Sequence, residues 1–232
     1  MHPIDIIASL RLLADPERIA FAARVFPTRL EVIGVTNPDL RIILREVKAE
    51  VKKETARSVI NLAQDLLMTG IYEAHWLAYE LIGSRRAYQQ ALTGGDAGAM
   101  NCSLDNWVLT DVYAANVLGY AWRNDLLGDD WFDARQRSPD VWQRRLPLAS
   151  VASGLNTPAN GGYGDTDRTL KHCRLALSDR HPMIVKGMSW ALRTLIRWDA
   201  GAVAEFIREH ENQLSRQVVR EVNRKLATGK KS

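Results

Sequence analysis

Apolar residues recur at helical spacing along almost the whole chain, and no stretch sustains the alternation of apolar and polar residues that a half-buried strand needs. That pattern confines the chain to an all-α fold. Between positions 38 and 53, Leu40, Ile43, Leu44, Val47 and Val51 stand at i, i+3, i+4, i+7 and i+11, one face of an amphipathic helix. Pro38 suits the first turn of that helix, and Asn37 can cap it. The same reading predicts helices over 17–25, 56–68, 72–82, 104–122, 140–152, 167–177, 182–198, 202–209 and 216–225. In the last third they pair, with units starting near Ser138, Pro182 and Ser215, a period of about 40 residues. Helix pairs of that period suggest a HEAT-like α-solenoid, a curved stack of helical repeats. An irregular bundle is the other arrangement that fits.

The 232 residues are enough for an apolar core without disulfide staples. Cys102 and Cys173 have no CxxC spacing, which speaks against a zinc ribbon and fits a reducing, cytoplasmic setting. No basic segment followed by an apolar run opens the sequence, so no signal peptide is expected. The longest uncharged run, 146–164, holds asparagine, proline, serine and four glycines, so no membrane partner is expected. No shift in composition marks a boundary, and residues 1–232 read as one domain. The segment 153–166, with Gly161-Gly162-Tyr163-Gly164, reads as a loop inside the helical array. No strand precedes its glycines and no Gly-Lys-Ser/Thr follows, so a phosphate-binding loop has little support.

The net charge of +4 permits a polyanionic partner, and the placement of the basic residues matters more than their number. On the helix predicted over 182–198, Ile184, Met188, Ala191, Leu192 and Leu195 share an apolar face. Lys186, Trp190, Arg193 and Arg197 share the opposite one. Interleaved cations and an aromatic ring suit a nucleic-acid backbone; a solvated charged face with Trp190 packed on a neighbour has the same spacing. Arg41, Arg45, Lys48 and Lys52 form a second stripe, which Glu46 and Glu50 partly neutralise, and Arg216, Arg220 and Arg224 form a third. In a solenoid such stripes would merge into one concave basic face that tracks phosphates.

Trp107 and Asp111 stand at i and i+4 and share a helix face, and Asp111 is the only charged residue between Val108 and Tyr120. A carboxylate beside an indole can stabilise a cation; an aspartate paired with a nearby arginine gives the same pattern. Trp142 and Arg145 stand at i and i+3, Arg144 and Arg145 point to different faces, and Pro147 calls for a kink or a late helix start. The five histidines show no ligand spacing and no HExxH, so no metal site is expected, and no GxSxG marks a hydrolase nucleophile.

Four segments carry a resemblance over nearly the whole chain. They are Gly34-Val35-Thr36-Asn37-Pro38-Asp39-Leu40-Arg41, Asn106-Trp107 through Asp111, Trp142-Gln143-Arg144-Arg145, and Lys186-Gly187-Met188-Ser189-Trp190-Ala191-Leu192-Arg193. Together they resemble the HEAT-like-repeat DNA alkylation repair glycosylases, bacterial enzymes that excise cationic N3- and N7-alkylated purines from duplex DNA. The resemblance implies that Asp111 is the catalytic carboxylate and that Trp107 and Trp190 are the aromatic walls. Arg145 and Arg193 would clamp phosphates; the basic stripes themselves make Lys186, Arg197 and Arg41 expected further DNA contacts. The resemblance also implies a monomer working on nucleoid DNA without a cofactor, and excision without flipping the base into a deep pocket. The sequence departs from the family's Gly-Ile-Gln-Thr-Pro-like turn, which reads Gly34-Val35-Thr36-Asn37-Pro38 here, and its 153–166 loop is longer. The competing functions are a non-catalytic binder of distorted or branched DNA and a helical-repeat protein scaffold.

Overall fold

The computed structural model describes residues 2–230, and among them α-helices and short tightened or widened helical turns account for all regular structure except one isolated bridge between Glu31 and Ile71. The fold is all-α and built as a helical repeat, and the chain divides into two compact units that meet in sequence between Val117 and Leu118. No helix among the described residues is long and apolar enough to cross a membrane.

The first unit contains α1 (Pro3–Arg11), α2 (Pro16–Val25), α3 (Asn37–Glu50), α4 (Ala56–Leu67), α5 (Tyr72–Gly83), α6 (Arg86–Gln90), α7 (Gly94–Ala99) and α8 (Trp107–Tyr113). The helices α1, α3, α5 and α8 pack in succession, and α4 packs against α5 and α6. Leu40, Ile43, Leu44 and Val47 of α3 are buried, and Val51 begins a tight turn through Lys53. Truncating Leu40, Ile43 or Leu44 to alanine would cost ~2–5 kcal/mol. The cap of α3 is Thr36 rather than Asn37, its hydroxyl accepting from the Asp39 amide. Tyr79 and Tyr113 lie 5.0 Å apart, and their hydroxyls donate to the carbonyls of Met100 and Ala97, binding α5 and α8 to the α7 region.

The second unit contains α9 (Gly119–Arg123), α10 (Asp129–Gln136), α11 (Val141–Ala149), α12 (Thr166–Leu175), α13 (Pro182–Leu195), α14 (Ala200–His210) and α15 (Arg216–Thr228). Its pairs are α10 with α11, α12 with α13 and α14 with α15, and the second members α11, α13 and α15 pack in succession. Their caps, Asp140, His181 and Ser215, lie at or beside the positions the spacing marks as unit starts, but these helices are the second members of their pairs, so each pair begins one helix earlier, at Asp129, Thr166 and Ala200. Trp122 stacks on Phe132 at 3.6 Å, with the His172 ring edge-on, while the Trp122 indole donates to Asp129.

The helix predicted over 104–122 is interrupted. It starts at Trp107, because Asn106 caps it, and widens into a π turn at Ala114–Leu118 before α9 resumes. Pro147 sits inside α11 without ending it, and a second π turn, Ser150–Leu155, follows and takes in the first residues of the predicted loop. The helix predicted to 198 stops at Leu195, which leaves Arg197 and Trp198 in the turn beyond it. Helices α1, α6, α7 and α10 carry too few core residues or too many glycines to show a periodic face.

Candidate functional site

In the first unit, polar anchors fix the start of α8. Asn106 is buried. Its side-chain oxygen accepts from the Leu109 amide at 3.0 Å, and its carbonyl accepts from the Thr110 hydroxyl at 2.7 Å. Asp105, one residue earlier, accepts from the Thr28 hydroxyl and the Arg29 amide, both at 2.6 Å. Burial opposes the Asp105 charge, but these hydrogen bonds outweigh it and hold the carboxyl below its ordinary range. The Trp107 indole, 36% exposed, donates to the Val25 carbonyl at 3.2 Å, so its ring plane is set. Asp111 follows one turn later on the same helix and is half-buried, and the π turn begins three residues beyond it. Trp107 also lines a cleft of about 240 Å³ whose walls include Arg18, Phe21, Val25, Phe26 and Tyr72. Phe26 and Tyr72 stack at 4.7 Å.

The wall of this cleft depends on Glu73, which is 1% exposed. Its carboxylate accepts from the amides of Ile33 (3.1 Å), Gly34 (2.8 Å) and Val35 (3.3 Å). Burial, with the charge of Glu73 beside it, pushes the Tyr72 hydroxyl above its ordinary range and keeps it neutral. Gly34 has φ +91°, and a Cβ there would lie 2.3 Å from the Asp15 carbonyl oxygen, so the turn that leads into α3 requires glycine. Arg41 is exposed on α3. Glu80 on α5 feels the charges of Arg41 and Lys48 and accepts from Asn116 at 3.3 Å; its burial prevails and raises its pKa. A carboxyl therefore lies within electrostatic reach of the Arg41 stripe, from a helix other than its own.

In the second unit, α13 separates its faces as its periodicity predicts. Ile184, Met188, Ala191, Leu192 and Leu195 are buried, Lys186 is exposed and Trp190 is half-buried. Arg197 is exposed in the turn past the helix end. Arg193 is held more closely, its side chain 14% exposed. Its Nε donates to the carbonyl and hydroxyl oxygens of Ser189, both at 3.1 Å, and lies 3.9 Å from Glu221. Ser189 donates to Glu221 at 2.5 Å and Gln217 donates to it at 2.8 Å. Burial opposes the Glu221 charge, but those bonds and the nearby Arg193 and Arg220 hold its pKa below the usual range. Arg193 is thus oriented by α15.

Arg145 of α11 is 5% exposed, and its guanidinium donates to the Met183 carbonyl in the first turn of α13. A Cβ on Gly187 would lie 3.5 Å from that guanidinium and 3.4 Å from Leu148, ordinary van der Waals contacts, so α13 faces both side chains there and has room for an alanine. Arg144 points elsewhere, to Asp179 at 2.8 Å and to the carbonyls of Ser138 and Pro139.

The expected site residues therefore fall into two sets: Arg41, Trp107 and Asp111 in the first unit, and Arg145, Lys186, Trp190, Arg193 and Arg197 in the second. Each set places an indole on the same helix as a charged side chain. Sequence reasoning missed the residues that support them: Glu73, Asp105 and Glu221. A signal existed for Glu73, one of two carboxylates in a helix of mostly apolar residues. None existed for Glu221, whose partner Ser189 is 32 residues away.

No curated protein matches the chain in sequence. The model of a protein family described as DNA alkylation repair enzyme matches residues 6–226.

Proposed function

The chain belongs to the family of DNA alkylation repair enzymes, and on that premise we propose that it is a DNA glycosylase, releasing cationic N3- and N7-alkylated purines from duplex DNA. The observation that carries this reading is the pairing of Trp107 with Asp111 on a helix whose start is anchored by Asn106, Asp105 and the Trp107–Val25 bond. An alkylated purine is already a cation. Its bond to C1′ breaks with the electron pair leaving to the purine, which departs neutral, and positive charge develops on the sugar. The Asp111 carboxylate stabilises that charge and orients the water that attacks C1′, accepting its proton. The products are a free alkylpurine and an abasic site. The leaving group needs no further protonation, so the reaction requires no cofactor.

In this proposal Trp107 and Trp190 are the aromatic residues that recognise the lesion and sugar. They favour a cationic base over a neutral one by ~1–2 kcal/mol when desolvated. Lys186 and Arg197 are exposed and hold phosphates directly, and Arg41 adds a contact from the first unit. Arg193 reaches a phosphate from the geometry that Ser189 and Glu221 impose. Arg145 acts on the DNA grip by fixing the first turn of α13. The chain works in the cytoplasm as one repair domain and as a monomer.

The test is release of free methylpurine, with matching abasic sites, from methylated duplex DNA incubated with the protein. Release well above spontaneous depurination supports the proposal. Tight DNA binding without release would replace it with a non-catalytic binder of distorted DNA, and weak binding indifferent to salt would replace it with a protein scaffold.

A further inference from the structure

The segment between the second π turn and α12 was expected to be a plain connecting loop, yet it is one of the most heavily pinned stretches of the second unit. The Arg123 guanidinium donates to the carbonyls of Gly154 and, at 2.8 Å, Asn160. The Trp198 indole donates to the Asn156 carbonyl at 2.8 Å. The Asn156 side chain accepts from the Asp165 amide and donates to Thr169, both at 3.0 Å, and Asn160 donates to the Ser153 carbonyl at 2.8 Å. Backbone bonds from Gly162 to Thr157 and from Gly164 to Leu155, each 3.0 Å, close the loop on itself.

All this order surrounds one outward-facing ring. Tyr163 is 61% exposed, between glycines with left-handed φ at Gly161 (+81°) and Gly164 (+85°). A Cβ on Gly164 would come 2.5 Å from the Trp198 ring, so the residue after Tyr163 rests directly on that indole. Trp198 is itself exposed, with the Arg197 guanidinium 5.6 Å over its ring. No carboxylate of the described residues pairs with Arg197. Tyr163 thus stands one residue from the glycine that rests on Trp198, and Trp198 carries Arg197 over its ring, so an exposed tyrosine and an exposed indole–cation pair are joined through Gly164 just past the end of α13.

We propose that this surface is a second nucleic-acid contact, in which the Tyr163 ring stacks on a base that has left the duplex stack while Arg197 holds the adjoining phosphate. A flat ring recognises any base by its face, and a fully paired duplex hides base faces, so the contact selects DNA with an unstacked nucleotide. Because the loop is ordered before binding, little conformational entropy is lost when the ring engages. The inference rests on the reading of the chain as a DNA-binding protein and adds a recognition element to it.

The test is the affinity of wild type, Tyr163→Ala, Tyr163→Phe and Arg197→Ala for a duplex with one bulged nucleotide and for its fully paired counterpart, across a salt series. Tyr163→Ala weakens binding to the bulged duplex about tenfold and to the paired duplex far less, with an unchanged salt slope, and Tyr163→Phe binds like wild type. Arg197→Ala lowers the slope by about one phosphate contact. Equal affinity of Tyr163→Ala and wild type for the bulged duplex would overturn the proposal, as would a Tyr163→Phe defect equal to that of alanine. Absence of DNA binding by wild type would overturn this proposal and the reading beneath it together. DNA binding without methylpurine release would remove the glycosylase and leave the tyrosine contact to be judged on its own data.

Discussion

The two units anchor the backbone near their candidate site residues with different groups, although a carboxylate, Glu221, also orients Arg193 in the second. In the first, buried or half-buried carboxylates accept from backbone amides: Glu73 from Ile33, Gly34 and Val35, and Asp105 from Arg29. In the second, guanidinium groups donate to backbone carbonyls: Arg145 to Met183, Arg123 to Gly154 and Asn160, and Arg144 to Ser138 and Pro139. The carboxylates, Arg123 and Arg144 satisfy backbone groups outside the α-helices, whereas Arg145 adds a donor to a carbonyl inside the first turn of α13. The two kinds of anchor differ in what they present to a ligand. A carboxylate anchor gathers N–H groups and shapes an apolar cleft beside Trp107, whereas the arginine anchors stand in a unit whose remaining exposed cations suit a polyanion. In this account the first unit supplies the catalytic carboxylate and the second supplies most of the grip.

The sharpest way to break the comparison is at Gly34. Alanine there must adopt φ +91° and meet the Asp15 carbonyl, so Gly34→Ala destabilises the first unit by more than ~3 kcal/mol, read as a fall in its unfolding midpoint. If the midpoint holds, the turn is not the rigid support described.

Acid is the next largest effect, and it strikes both units. Burial lowers the pKa values of His75 in the first unit and His172 in the second to about 4. The unfolded chain takes up those protons near pH 6.5 while the folded chain refuses them until about pH 4. Stability therefore falls as pH drops through that window, by up to ~3 kcal/mol for each histidine. In His172→Gln, thermal melts between pH 7 and pH 4.5 should lose less stability on acidification than wild type. An identical pH dependence would mean that His172 titrates normally.

The anchors themselves give a paired test. Glu73→Gln turns an amide toward three amide donors and costs the first unit ~2–3 kcal/mol, whereas Arg145→Met costs the second ~1–2 kcal/mol. Urea midpoints of the two variants rank them, and a larger loss for Arg145→Met would reverse the comparison. The smallest effect is at Glu221→Gln, which loosens Arg193 without removing it. Duplex affinity should fall about two- to fivefold, roughly 0.5–1 kcal/mol, at constant thermal stability. Unchanged affinity would detach Arg193 from the grip.

Periodicity made the helices with clean faces legible before the structure. The faces of α13 fall where the spacing puts them, because eight buried residues outvote every local irregularity. Helix α7 was invisible, since three of its six residues are glycine; it forms because Thr93 and Asp96 cap each other and Arg57 binds Asp96. The end of α13 was misplaced by three residues because Trp198 and Asp199 both donate to the Leu195 carbonyl, a turn that composition does not announce. For the candidate site, the pairing of Trp107 with Asp111 was legible from i, i+4 spacing. The burial of Arg145 was not: spacing assigns a residue to a face of its own helix and says nothing of what another helix brings there. The same blindness hid Glu221, and it turned a rigid, tyrosine-bearing loop into an anonymous connection.

The central claim is tested most directly on a duplex carrying one N7-methylguanine, with single-turnover excision and affinity measured on the same variant, Asp111→Asn. The account predicts that excision slows by at least about a hundredfold while affinity stays within about threefold, since the carboxylate acts on the developing charge and the cations hold the strand. Excision at the wild-type rate by Asp111→Asn, or no excision by either protein on DNA they both bind, would contradict it.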